Sequence, residues 1–191
     1  VALGLYISFR TLDIADLTTD GTFTLGAAVS AVFTVQGQPL LGVVLAFFCG
    51  ALAGFVTALL QTKLGVQPIL AGIITMTALY SVNLMVMGKP NINFFKEKTI
   101  FTAAEAMPGG FGSLLQAAAI TAVLCVLLVL FLRTQLGLSL RATGDNRDMV
   151  SASSINPAFT TTVGLCLSNA VVALSGALIA QYQKFADNTL G

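Results

Sequence analysis

Histidine and tryptophan are absent from this 191-residue chain, and charge is scarce, with 9 Lys and Arg against 8 Asp and Glu. The missing histidine removes the usual general base and the commonest metal ligand. Cys49, Cys125 and Cys166 each lie within an apolar run. That placement excludes a disulfide framework and a thiolate metal site, and reads as small core residues. A phosphate loop of the GxxxxGK[ST] type is also missing, because the one Gly-Lys pair, Gly88-Lys89, runs into Pro90. No paired acids stand inside an apolar run. The sequence therefore predicts no catalytic site, no metal and no bound cofactor, and any work done must draw its energy from a partner.

A formal net charge of +1 gives no basis for a nucleic-acid partner. Without Trp, an interfacial Trp belt is not available either. Only 9% of residues are charged and 56% are hydrophobic, whereas soluble domains are roughly a quarter charged. So little charge cannot cover a water-facing surface, so the outer solvent is a lipid bilayer. No signal peptide precedes Val1 and both ends fall in structured-looking sequence, so the expectation is a fragment of a longer membrane protein.

What is present is a series of charge-free stretches. Residues 40–61, 66–88, 113–132 and 158–182 are each long enough to cross a hydrocarbon core of about 30 Å. Residues 1–12 read as the end of a helix, and residues 22–36 as a short apolar helix, marginal as a span and open to being re-entrant. Within 40–61, Ala46, Gly50 and Gly54 form a small-residue ridge of the kind that lets helices approach closely in lipid. The fold class is an all-α membrane protein, a polytopic helical bundle with broken or re-entrant helices. Lys63, Arg133, Arg141 and Arg147 fall on one side, which the positive-inside rule places in the cytoplasm. Residues 89–112 form the opposite, extracytoplasmic loop, although Lys89, Lys96 and Lys98 run against the rule. Its phenylalanines suit either a docking surface or an amphipathic piece lying in the headgroups.

Polar residues at membrane depth are the candidates for a substrate pathway. Asp16, Thr19, Asp20 and Thr22 cluster at the start of the short helix, where a broken helix can aim amides at an anionic group. The competing reading is a capped loop, with Asp20 or Thr22 as the cap. Asn83 and Asn169 lie inside spans, where they either contact solute or hydrogen-bond between helices. Residues 15–21, ADLTTDG, are echoed by residues 186–191, ADNTLG, each following an apolar helix and a basic residue, Arg10 or Lys184. An odd number of crossings between them would make the copies inverted. The echo adds Asp187 to the pathway candidates.

One polar insert, residues 140–156, LRATGDNRDMVSASSIN, interrupts the oily chain between its last two spans. It is either a plain connector or a handle for a soluble protein. GLSLRATGDNRDMVSASSIN resembles the cytoplasmic coupling segment of ABC importer permeases, closest to the branched-chain amino acid and ribose permease family. The matching residues are Gly137, Arg141, Ala142, Gly144 and Asn146, then Ser151 to Ser154, Ile155 and Asn156. GTFTLGAAV at 21–29, residues 50–80 and LSGALIAQY at 174–182 extend the likeness over nearly the whole chain. DLTTDGTFTLGAA resembles amino-acid-type members, some associated with aromatic amino acids. One departure is Ser154, where the family usually has Gly, which puts the turn geometry there in question.

The resemblance implies a single permease domain over residues 1–191, type II ABC importer-like, in the bacterial inner membrane. It implies a permease homodimer or heterodimer, an extracytoplasmic solute-binding protein, and a cytoplasmic ABC ATPase that carries the ATP and Mg. Arg141, Ala142, Gly144, Asp145, Asn146, Arg147 and Met149 would meet that ATPase. A secondary transporter or channel working alone is the alternative, and a purely structural membrane protein a third. An ion-coupled carrier usually keeps an ionisable residue deep in a span, yet every charge between residues 40 and 182 falls at a span end or in a loop.

Overall fold

A computed structural model describes residues 1–95, 97–102 and 112–189. Helix α1 (Ala2–Leu5) continues into a wider π-helical turn (Tyr6–Thr11), and α2 (Thr18–Val35), α3 (Pro39–Thr62) and α4 (Pro68–Met87) follow. After strand β1 (Asn91–Asn93) come α5 (Gly112–Arg133), α6 (Gln135–Asp145), α7 (Arg147–Ala152), α8 (Pro157–Gln183) and strand β2 (Phe185–Asp187). Proline opens α3, α4 and α8 at Pro39, Pro68 and Pro157, where its missing N–H would have had no partner in the helix anyway. Gly88, at φ +63°, ends α4.

Among the described residues, four helices are long and apolar enough to cross a membrane: α3, α4, α5 and α8. They coincide with the four charge-free stretches to within two residues at each end. The short helix starts four residues before the expected Thr22, at Thr18, and ends at Val35. It begins inside the bundle, beside Thr57 of α3 and Asn169 of α8, and climbs to Gly42 at the start of α3. The chain therefore descends through residues 2–11, turns at 12–17 and returns as α2, which is a broken-helix hairpin.

Close packing explains the small residues. A Cβ at Gly50 would meet the Ala173 methyl and one at Gly54 the Leu165 carbonyl, both on α8. The ridge on α3 therefore lies directly on α8. Gly26 of α2 makes the same kind of approach to the Ala173 backbone. By contrast, α5 buries only Gly112 and Leu132 and turns most of its surface away from the bundle.

The two ends of the bundle are chemically distinct. At one end the α3–α4 turn, Arg147 and Pro157 line a common crevice of about 440 Å³. Lys63 and the arginine segment therefore share that end, as expected. At the other end β1 and β2 pair antiparallel, with Ile92 opposite Ala186. Of the 89–112 loop, Phe94 and Phe101 are buried, Phe94 against Ala27, Ala31 and Ala186 and Phe101 edge-on to Tyr182 at 5.7 Å, while Phe95 is exposed. Lys96, Glu105 and Phe111 lie outside the described residues.

Candidate functional site

Three polar constellations stand out, and the first is the insert. Thr134 caps α6 by accepting from the Gly137 amide at 3.3 Å. Asn146 caps α7, its Oδ1 accepting from the Asp148 and Met149 amides, each at 3.0 Å. The insert is thus carried on two short helices, each with a side-chain cap. Arg141, Ala142, Asp145, Asn146, Arg147 and Met149 are exposed, Gly144 is half-buried, and Leu140, Thr143 and Val150 are buried. The inner face keys into the bundle. Leu140 packs with Leu12 and Leu165, Thr143 and Thr160 share a hydroxyl hydrogen bond of 2.8 Å, and a Cβ on Gly144 would strike the Thr11 carbonyl.

Ser154 takes φ +61°, the left-handed region. The turn geometry is thus the one that favours glycine, held here by a residue with a Cβ. The serine carries the strain of that conformation.

The second constellation lies where the broken helix resumes. Asp16 is fully buried. Its Oδ1 accepts from the Thr18 amide at 2.9 Å, and its Oδ2 from Asn169 Nδ2 at 2.7 Å. Asn169 Oδ1 accepts in turn from Thr22 Oγ1 at 2.7 Å, and Thr18 Oγ1 pairs with Thr57 Oγ1 at 2.9 Å. Thr19 Oγ1 donates to the Asp16 carbonyl at 3.2 Å. Asn169 stands near the middle of the 27-residue α8, so a carboxylate sits at mid-span depth. The chain's own acid thus occupies the start of α2, where an anionic solute group was expected. Neither Asp20 nor Thr22 caps α2: its N-cap is Leu17, which offers no side-chain bond, and Asp16, one residue earlier, serves the Thr18 amide. Among the candidates at the two asparagines, interhelical bonding accounts for Asn169.

The third lies toward the paired-strand end, where Asp20, Met76, Tyr80, Asn83, Asn188 and Thr189 line a pocket of about 230 Å³. Asn83 Nδ2 donates to the Gly21 carbonyl at 3.3 Å, while its Oδ1 has no partner among the described residues. Neither polar atom of the Asn188 side chain has one either. Asp187 lines no part of this pocket. Its Oδ1 accepts from the Thr189 amide at 3.1 Å, the same local turn that Asp16 makes with Thr18. In both copies of the echo a left-handed residue precedes the aspartate by three positions, Asp13 at φ +53° and Lys184 at φ +56°. Residues 4–12 run antiparallel to α8, Gly4 beside Ser168 and Leu12 beside Gly164, so the helical segments that lead into the two copies run in opposite directions.

The sequence reading passed over Thr57, Tyr80, Asn188 and Gln181. Gln181 is fully buried and donates to Ser30 Oγ and the Pro39 carbonyl, each at 2.9 Å. A lone Gln or Thr within an apolar run carries no signal of its partner. Asn188, however, belongs to the echoed ADNTLG and was open to discovery.

Comparison with known proteins supplies the last observation. Residues 1–190 match the family model described as branched-chain amino acid transport system, permease component. The tyrosine transport system permease protein of Clostridioides difficile is 38% identical over 192 residues, covering 100% of this chain and 63% of that protein. An uncharacterized protein of Rickettsia prowazekii is 35% identical over 189 residues, covering 99% of this chain and 66% of its own length. The chain thus spans just under two thirds of the length of these relatives. No solved structure matches it significantly.

Proposed function

The chain belongs to the family of branched-chain amino acid transport system permease components, a multi-pass membrane family, and from that premise we propose that it serves an ATP-driven ABC importer. Its solute is an amino acid or a similar small polar molecule. A separate cytoplasmic ATPase supplies the energy and holds the ATP and Mg. An extracytoplasmic binding protein delivers the solute at the paired-strand end, and two permease subunits enclose the path.

The observation that carries this reading is the two-faced coupling segment. A plain connector needs no buried key, and a bilayer has no use for Arg141, Asp145 and Arg147 presented together on short capped helices. The inner face reaches Thr11 and Leu12, only four residues before Asp16. A push on α6 is therefore delivered to the hairpin that precedes α2. Arg141, Asp145, Arg147 and Met149 make the contact with the ATPase, Asn146 caps α7, and Gly144 permits the close approach.

A second reading has one observation in its favour. Asp16, a buried carboxylate at mid-span depth, is the kind of residue that ion-coupled carriers use. Its oxygens are already engaged by Thr18 and Asn169, which fits a structural latch better than a site that loads and releases a proton. Uptake by vesicles holding the complete transporter separates the two. Accumulation that persists after the proton gradient is collapsed and stops when ATP is withdrawn supports the ABC importer. Accumulation that follows the gradient without an ATPase refutes it.

A further inference from the structure

We propose that the pocket between α2, α4 and the turn after β2 is a site that reads the primary ammonium group of an amino acid. The inference rests on the permease reading above and deepens it by naming the residues that hold the solute's ammonium group.

The lining is biased toward acceptors. Asp20 is the one charged residue among the described residues that form the pocket wall. Asn83 is 1% exposed and Asn188 6%. Burying an amide oxygen without a partner costs roughly 1–3 kcal/mol, and native structures tolerate few such groups without a reason. The bond from Asn83 Nδ2 to the Gly21 carbonyl fixes that amide so that its acceptor, Oδ1, is the free atom. The Thr24 hydroxyl, also at the wall, is committed to the Asp20 backbone carbonyl at 3.2 Å. A carboxylate and two amide oxygens thus have capacity to spare, against the unpartnered Asn188 Nδ2 donor.

An ammonium group offers three N–H donors and no acceptor, and its charge offsets that of Asp20. A sugar hydroxyl would leave the Asp20 charge uncompensated, and an anionic group would be repelled by it. The size agrees as well, since about 230 Å³ lies below the roughly 300–1,000 Å³ of sites for drug-sized ligands.

Position supports the same conclusion. Asp20 and Gly21 come from the first copy of the echoed segment, Asn188 and Thr189 from the second. Solute sites in transporters built from inverted repeats lie where the repeats meet. On its other side Asp20 borders a separate cavity whose wall combines Leu5, Phe9, Leu17 and Phe23 with Asp16 and Thr19. The apolar part of that wall has room for a side chain beside the anchored ammonium.

The test is equilibrium binding of labelled L-tyrosine, L-phenylalanine and L-leucine to the full-length permease in lipid nanodiscs. For whichever amino acid binds, the matching amine without the carboxylate should compete, and the matching acid without the amine should not. Asp20→Asn should weaken binding by at least about tenfold, the loss of one hydrogen bond to a charged group, and Asp20→Glu should recover most of it. If both variants fail to fold, the competitor series on the unmodified protein decides. Equal competition by the deaminated acid, or unchanged binding by Asp20→Asn, overturns the site. So does absence of binding by all three amino acids while the complete transporter still imports one of them, a result that leaves the importer standing. If the complete transporter imports no amino acid at the expense of ATP, the importer reading fails and takes the site with it.

Discussion

Truncating Asn169 to alanine should cost the bundle more than an ordinary interhelical hydrogen bond is worth. Neutral bonds of this kind in membranes average about 0.6 kcal/mol. Asn169 instead donates to a carboxylate at 2.7 Å, and Asp16 has no exposed surface from which to recruit water. After the truncation Asp16 Oδ1 keeps the Thr18 amide, while Oδ2 is left bare. Thr22 loses little, because its hydroxyl still donates to the Thr18 carbonyl at 2.7 Å. The loss is thus concentrated on one buried charge. A hydrogen bond to a charged group is worth about 1.5–3 kcal/mol, and the absence of any replacement donor places this case near the upper bound. In an Asp16→Asn background the charge is gone, and the same truncation should cost about 1 kcal/mol. A double-mutant cycle, read by reversible unfolding of the full-length protein in mixed micelles, should therefore give a coupling of about 2 kcal/mol. A coupling at or below about 0.6 kcal/mol would show that the pair is ordinary bundle packing.

Two further outcomes follow from the insert. Ser154→Gly relieves a left-handed serine worth about 1–2 kcal/mol, offset by about 0.5–1 kcal/mol of extra chain entropy. A small rise in the melting temperature of the detergent-solubilised protein is expected, and a fall would contradict the strain. Gly144→Val places a side chain against the Thr11 carbonyl and should cut uptake at least about tenfold with the ATPase still bound, whereas normal uptake would show that this close approach does not transmit force.

Much of the scaffold was legible because lipid imposes one rule, that spans are long, apolar and free of charge. That rule located α3, α4, α5 and α8 nearly to the residue. It failed at α2, where Thr18, Thr19 and Asp20 read as a polar entry although they already belong to the helix. Tertiary bonds to Thr57 and Asn169 make that polar turn stable within the bundle, and no local pattern announces partners 39 and 147 residues away. Asp16 was legible as a candidate but not as a latch, because its role depends on Asn169, 153 residues distant. The outer face of the insert could be read from its charge. The inner face could not, since Leu140 and Thr143 look like any residues of a short amphipathic helix until α8 and the hairpin are in place.

On the proposed function, an ATPase takes hold of the outer face of α6 and α7. The most direct test is to replace Arg141, Asp145, Arg147 and Met149 together by serine, leaving Leu140, Thr143, Gly144 and Asn146 intact, and to ask what co-purifies with the full-length permease. The expected result is a protein that folds and inserts normally, no longer retains its ATPase and imports nothing. Undiminished ATPase retention together with normal import would contradict it.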